Sequence, residues 1–223
     1  MPKLKSVTHK ARREHILDAA ELCFAQTGFH RATIQDICRE AAVSLGALYV
    51  YFASKEDLIA GIVERDRAKL AEQLAAVATA PDLLAALSRL GEHYMVEEPR
   101  HKQQLVIEIG CQSMREGPVG EIFRACDRFV LDQFEALFAR AIAEGKIAPA
   151  LDPRTLATTV ALIGDGLFWR RGVDPAFDAK VMVPIVTALI GALLNPVAPS
   201  PTYPVATTPC CEPYSPSPEK ASS

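Results

Sequence analysis

Missing from this 223-residue chain are a bilayer-length apolar run, a secretory leader, a metal-ligand spacing and a catalytic motif, and each absence removes a class of function. The longest apolar run, residues 181–194, falls short of the ~20 residues a spanning helix needs and contains Pro184. The N-terminus is basic, but no apolar core of a signal peptide follows it. The expectation is a cytoplasmic, nucleoid-associated protein without a membrane partner. Cys23, Cys38, Cys111 and Cys126 fall singly, and Cys210–Cys211 are adjacent, so no zinc spacing is present and buried thiols are expected. His93 and His101 are separated by Pro99 and do not share a helical face. There is no G-x-S-x-G elbow, P-loop or dinucleotide fingerprint, and Gly164-Asp165-Gly166 lies in a helical stretch with no strand before it. No catalytic residue, metal or cofactor is expected, and the chain reads as a non-enzyme.

Strands are also poorly represented. β-Branched runs and Asn-Gly turns are few, while hydrophobic residues make up 49% of the chain with Leu and Ala prominent. The expected fold class is all-α. A formal net charge of −3 excludes a generally basic nucleic-acid coat. Positive charge is local instead: Lys3, Lys5, Lys10, Arg12 and Arg13 crowd the first thirteen residues, where no acid occurs. Such a terminus is either a solvated end or an arm that reaches DNA.

The chain is organised around residues 33–55, TIQDICREAAVSLGALYVYFASK. Thr33 and Asp36 form a capping box that opens a helix. Ile34, Ile37, Cys38 and Ala41 then recur at i, i+3, i+4 and i+7, one apolar stripe facing a core. Ala42 and Val43 leave room only for a tight turn, and Ser44 can N-cap a second helix. That helix is short, ending near Phe52. Leu48 and Phe52 point inward, while Leu45, Gly46, Ala47, Tyr49 and Val50 occupy more exposed faces. Ser54, boxed with Asp57, caps a third helix. Lys55 sits in its first turn, where a cation opposes the helix dipole, and a neighbouring phosphate would explain it.

Ala32, Thr33, Ile37, Ala41, Val43, Ser44, Gly46, Leu48, Tyr49, Tyr51, Phe52, Lys55 and Leu58 together resemble the tetracycline-repressor (TetR) family of bacterial regulators. The family usually has Gly where this chain has Ala42, and often Ala at Cys38. The resemblance implies a helix-turn-helix whose candidate DNA contacts are Thr33, Ser44, Leu45, Gly46, Ala47, Tyr49 and Lys55. Its partner would be double-stranded operator DNA.

A first helix is expected over residues 8–27, with Ile16, Ala19, Ala20, Cys23 and Phe24 inward and Gly28 beyond its end. It completes a three-helix head over residues 1–57, a helix-turn-helix DNA-binding domain. A connecting helix, 54–78, leads into a helical regulatory and dimerisation domain, 58–195. Proline and glycine punctuation places further helices at 81–97, 100–116, 118–144, 153–171 and 175–195, about nine in all. Residues 196–223 hold eight of the sixteen prolines and read as a disordered tail.

The last two helices are apolar nearly all round, so pairing with a second copy is the economical way to bury them. The family implies the same homodimer, and a small apolar, aromatic inducer held in the middle of the second domain. Candidate ligand contacts there are Met95, Glu108, Cys111, Phe134, Phe138 and Trp169. The expected function is a ligand-released repressor acting on a palindromic operator. The alternative is a DNA-binding protein of the same fold that answers to a protein partner or to no ligand.

Overall fold

The computed structural model describes the backbone of residues 2–114 and 117–194, with side chains from Thr8 onward. The prolines and cysteines expected in a tail after residue 195 lie outside the described residues. Among the described residues there is no strand.

Helix α1 (Pro2–Thr27) starts before the expected Thr8. Its end is as the sequence indicates: Gly28 takes φ 83° and its N–H donates to the Phe24 carbonyl at 2.8 Å. Helices α2 (Ile34–Glu40) and α3 (Leu45–Tyr49) follow, then α4 (Lys55–Thr79). Between α2 and α3, Ala42 takes φ 50°, with its N–H on Arg39 and that of Val43 on Cys38. This is a glycine's conformation adopted by an alanine.

Helix α5 (Leu83–Glu92), capped by Asp82, passes into a π-helical turn, His93–Glu97, before Pro99 stops it. The freed carbonyls at that end are met from elsewhere. Gln103 donates to Tyr94, and Arg171 donates to Val96 at 3.1 Å and Glu98 at 2.8 Å. Helix α6 (Arg100–Gln112) ends short of the expected residue 116, and α7 (Pro118–Ala143) begins with proline after Gly117. Helix α8 (Pro153–Val173) has Asp152 as its N-cap, accepting from Arg154 and Thr155. The last helix, α9 (Ala179–Leu194), was expected to begin at Asp174–Pro175. Asp174 instead closes α8 and turns its carboxylate to the Ala176 N–H, while Asp178 accepts from Lys180. A carboxylate spent on a turn cannot also open a helix.

Two cores result. The upper one joins Ile16, Leu17, Phe24, Ile37, Leu48, Phe52, Leu58 and Ile59 with Leu105 and Ile109 of α6 and Val119 of α7. The lower one joins Leu74, Val77, Leu137, Phe138, Leu156 and Leu194. The upper core does not stop at residue 57. Helix α6 inserts two side chains into it, so head and body share apolar burial.

Candidate nucleic-acid interface

Short helices need their ends fixed, and the N-termini of α2, α3 and α4 each carry a side-chain cap. Thr33 Oγ1 accepts from the Asp36 N–H at 3.1 Å, and Asp36 Oδ2 accepts from the Thr33 N–H at 3.1 Å and its hydroxyl at 2.6 Å. Those bonds hold the Asp36 carboxyl below its ordinary pKa. Ser44 Oγ accepts from the Ala47 N–H at 3.2 Å, and Ser54 Oγ from the Asp57 N–H at 3.1 Å. Thr33 and Ser44 thus serve first as caps.

Leu48 and Phe52 are buried, and they anchor α3 with its opposite face outward. On that face Leu45, Tyr49 and Val50 are 43%, 51% and 71% exposed. Nothing lies within 4 Å of where a Cβ on Gly46 would be. Beside this face His9 of α1 stacks on Tyr51, ring centres 4.5 Å apart. The result is a short, stiff helix projecting from a buried base.

Lys55 differs from expectation. Its Nζ donates to the carbonyls of Phe29 at 2.7 Å, His30 at 3.1 Å and Ala32 at 3.0 Å, and lies 4.7 Å from the centre of the Phe29 ring. An ammonium has three protons, and all three are taken. The cation that opposes the α4 dipole is compensated by carbonyls of the turn before α2. Sequence spacing could not show this, because the carbonyls come from a turn some 25 residues earlier.

A helical head with capped ends, a tight turn and an outward second helix is the geometry of a DNA reader. Comparison with known proteins settles its kinship. The profile of bacterial regulatory proteins of the tetR family matches residues 16–62, and that of the BetI-type transcriptional repressor C-terminal domain matches residues 84–195. This chain belongs to the TetR family.

Other TetR-family relatives agree. The regulator UidR of Escherichia coli K12 is 28% identical over 144 residues, covering 63% of this chain and 71% of UidR. The repressor AcnR of Corynebacterium diphtheriae is 33% identical over 75 residues, covering 34% of this chain and 40% of AcnR. The solved structure of Salmonella enterica GusR superposes with a TM-score of 0.70 at 26% identity, covering 82% of this chain and 95% of GusR. SmeT, the repressor of a Stenotrophomonas maltophilia multidrug efflux pump, superposes at 0.63 with 25% identity, covering 86% and 97%. The family and these relatives are transcription regulators, not enzymes.

In the TetR-family body the six candidate ligand contacts differ in burial and in partners. Phe134 and Phe138 pair at 5.9 Å inside the lower core. Cys111 is exposed on α6. Trp169 is 50% exposed on the outer side of α8, and Met95 lies half-buried in the π-helical turn. Glu108 has another use: its Oε1 accepts from the Phe29 N–H at 2.7 Å. Two clefts lie elsewhere. One, of about 370 Å³, is lined by Pro81, Leu83, Lys146, Ile147, Gly191 and Leu194; the other, of about 320 Å³, by Glu92, Val96, Glu97, Lys180 and Val183.

Sequence reading passed over a polar seam between head and body. Arg65 of α4 donates to Asp18 and Glu21 of α1, and His101 of α6 lies 3.5 Å from Glu21. Lys102 pairs with Glu98 at 3.3 Å. Burial pushes the Glu21 carboxyl up in spite of Lys102 and Arg65. Tyr94 donates to Gln73 at 2.6 Å, and burial with the nearby Glu98 charge pushes its phenol up to about 12. Arg65, Glu21 and His101 lie on three different helices, so no local spacing announces the seam.

Proposed function

We propose that this TetR-family regulator is a repressor. It binds a palindromic operator as a homodimer, and a small apolar ligand releases it. One observation carries the regulatory part: the turn that presents the helix-turn-helix is held from both sides. Lys55 of α4 grips the carbonyls of Phe29, His30 and Ala32, while Glu108 of α6 takes the Phe29 N–H. The Phe29 amide is therefore a point where a shift of α6 is felt directly by the segment leading into α2. The adjoining Arg65–Glu21–His101 seam and the shared upper core support the same route.

Dimerisation through α8 and α9 is supported by an outward apolar stripe. Leu162, Trp169 and Val173 on α8, and Val181, Ile185 and Leu189 on α9, are large and exposed. They recur at steps of seven and four residues on α8 and of four on α9, so each set forms one face. A face of this kind fits a two-fold partner of the same chain. Operator half-sites would then be about one helical turn apart, roughly 34–36 Å.

Release by ligand requires differential affinity, and linkage makes the effect mutual. The test begins with a thermal-shift screen of small ring-bearing compounds against the full chain. Hits are then titrated with and without a saturating duplex that the protein has selected from a random library. Affinities differing by roughly 5–150-fold support the reading. Equal affinities leave the second reading, a regulator that answers to a protein partner or to no ligand.

A further inference from the structure

The exposed face of α3 is unusual in what it can say to a base pair. Leu45, Gly46, Ala47, Tyr49 and Val50 supply no amide, carboxylate, guanidinium or ammonium. Bidentate reading of guanine needs Arg or Lys, and of adenine Asn or Gln. Helix α3 has none of them. Ser44 already accepts the Ala47 N–H as a cap, and the nearby Arg39 of α2 pairs with Asp36 at 3.1 Å. Lys55 is spent on three carbonyls. What α3 does offer is aliphatic. Leu45 and Val50 stand out at 43% and 71% exposure, with the open Gly46 between them in the helical surface. The missing side chain at Gly46 lets the helix backbone approach a groove floor, which brings both aliphatic groups to base edges.

One major-groove feature accepts aliphatic contact, the C5 methyl of thymine. We propose that this regulator reads its half-site through thymine methyl groups, which Leu45 and Val50 cover with Ala47 beside them. Tyr49 serves as a phosphate or backbone contact. The proposal rests on operator binding by this regulator, with α3 as the helix that enters the major groove. It adds that half-sites are rich in A·T pairs where α3 lies, and that discrimination there is apolar.

The test uses the full chain and duplexes it selects from a random library. Selected half-sites are resynthesised with deoxyuridine in place of thymidine, which removes the C5 methyl and keeps the pairing. Burial of one methyl-sized group corresponds to about fourfold in affinity, so each contacted thymidine should cost about that factor. The salt dependence should not change, because no phosphate contact is altered. Leu45→Ala and Val50→Ala should each bind less tightly and lose the distinction between thymidine and deoxyuridine at one position. Both side chains are exposed, so the variants should melt like the parent, which checks folding. Selected half-sites without thymine, or deoxyuridine duplexes bound as tightly as the originals, overturn the proposal while leaving α3 in the groove. If instead neither variant changes binding to any duplex, α3 does not enter the groove, and the reading beneath the proposal fails with it.

Discussion

Replacing Lys55 by methionine keeps most of the side chain's length and removes its charge. Three carbonyls then lose their donor and must turn to water or remain unmet. All three lie in a part-exposed turn, so each bond is worth about 0.5–1 kcal/mol, below the range for buried bonds to a charge. Loss of the contact with the Phe29 ring adds about 0.5–1 kcal/mol. Removing a cation from the first turn of α4 returns about 0.3–1 kcal/mol through the helix dipole. The balance is a loss of about 1–4 kcal/mol, which for a chain of this size lowers Tm by about 2–16 °C. The assay pairs calorimetry of the full chain with DNA binding at several salt concentrations. Lys55→Met should lower Tm and leave the salt slope as it was. A slope reduced by about one, with Tm unchanged, is the signature of a lost phosphate contact and would refute the clamp.

Ala42→Gly should raise stability by about 1 kcal/mol, since it removes a Cβ from a left-handed backbone conformation, and urea unfolding would show it as a higher midpoint; an unchanged or lower midpoint counts against strain there. Leu189→Asp or Ile185→Asp should leave the protomer folded, because both side chains are more than half exposed, yet yield monomers in sedimentation with weaker operator binding. Full dimerisation in both variants would move the interface elsewhere. Lys146 and Arg140 hold Glu144 down at about 2, so its stabilisation is complete above the unfolded value near 4.5 and is lost as pH falls through 2. Glu144→Gln should therefore be less stable than the parent at pH 6 and converge with it toward pH 2; parallel curves across that window would contradict the assignment.

Local physics made much of this molecule legible without coordinates. A capping box takes four consecutive residues, and Thr33 with Asp36 forms one wherever that segment lies. The spacing of Ile37, Leu48 and Phe52 dictates which faces are buried, and Gly28 and Gly145 mark helix ends because only their backbones turn left-handed at little cost. The family resemblance followed from the same short stretch. Tertiary structure alone decided the partners of charged groups, since a long side chain reaches whatever the fold brings near. Lys55 met the carbonyls of Phe29, His30 and Ala32, and Glu108 met the Phe29 amide. It likewise sorted the aromatics: Phe134 and Phe138 went into a core, and Trp169 to an outer face. Periodicity tells which side of a helix is apolar, but what covers that side depends on the other helices. Arg65, Glu21 and His101 show the limit most plainly, because three separate helices must pack before their seam exists.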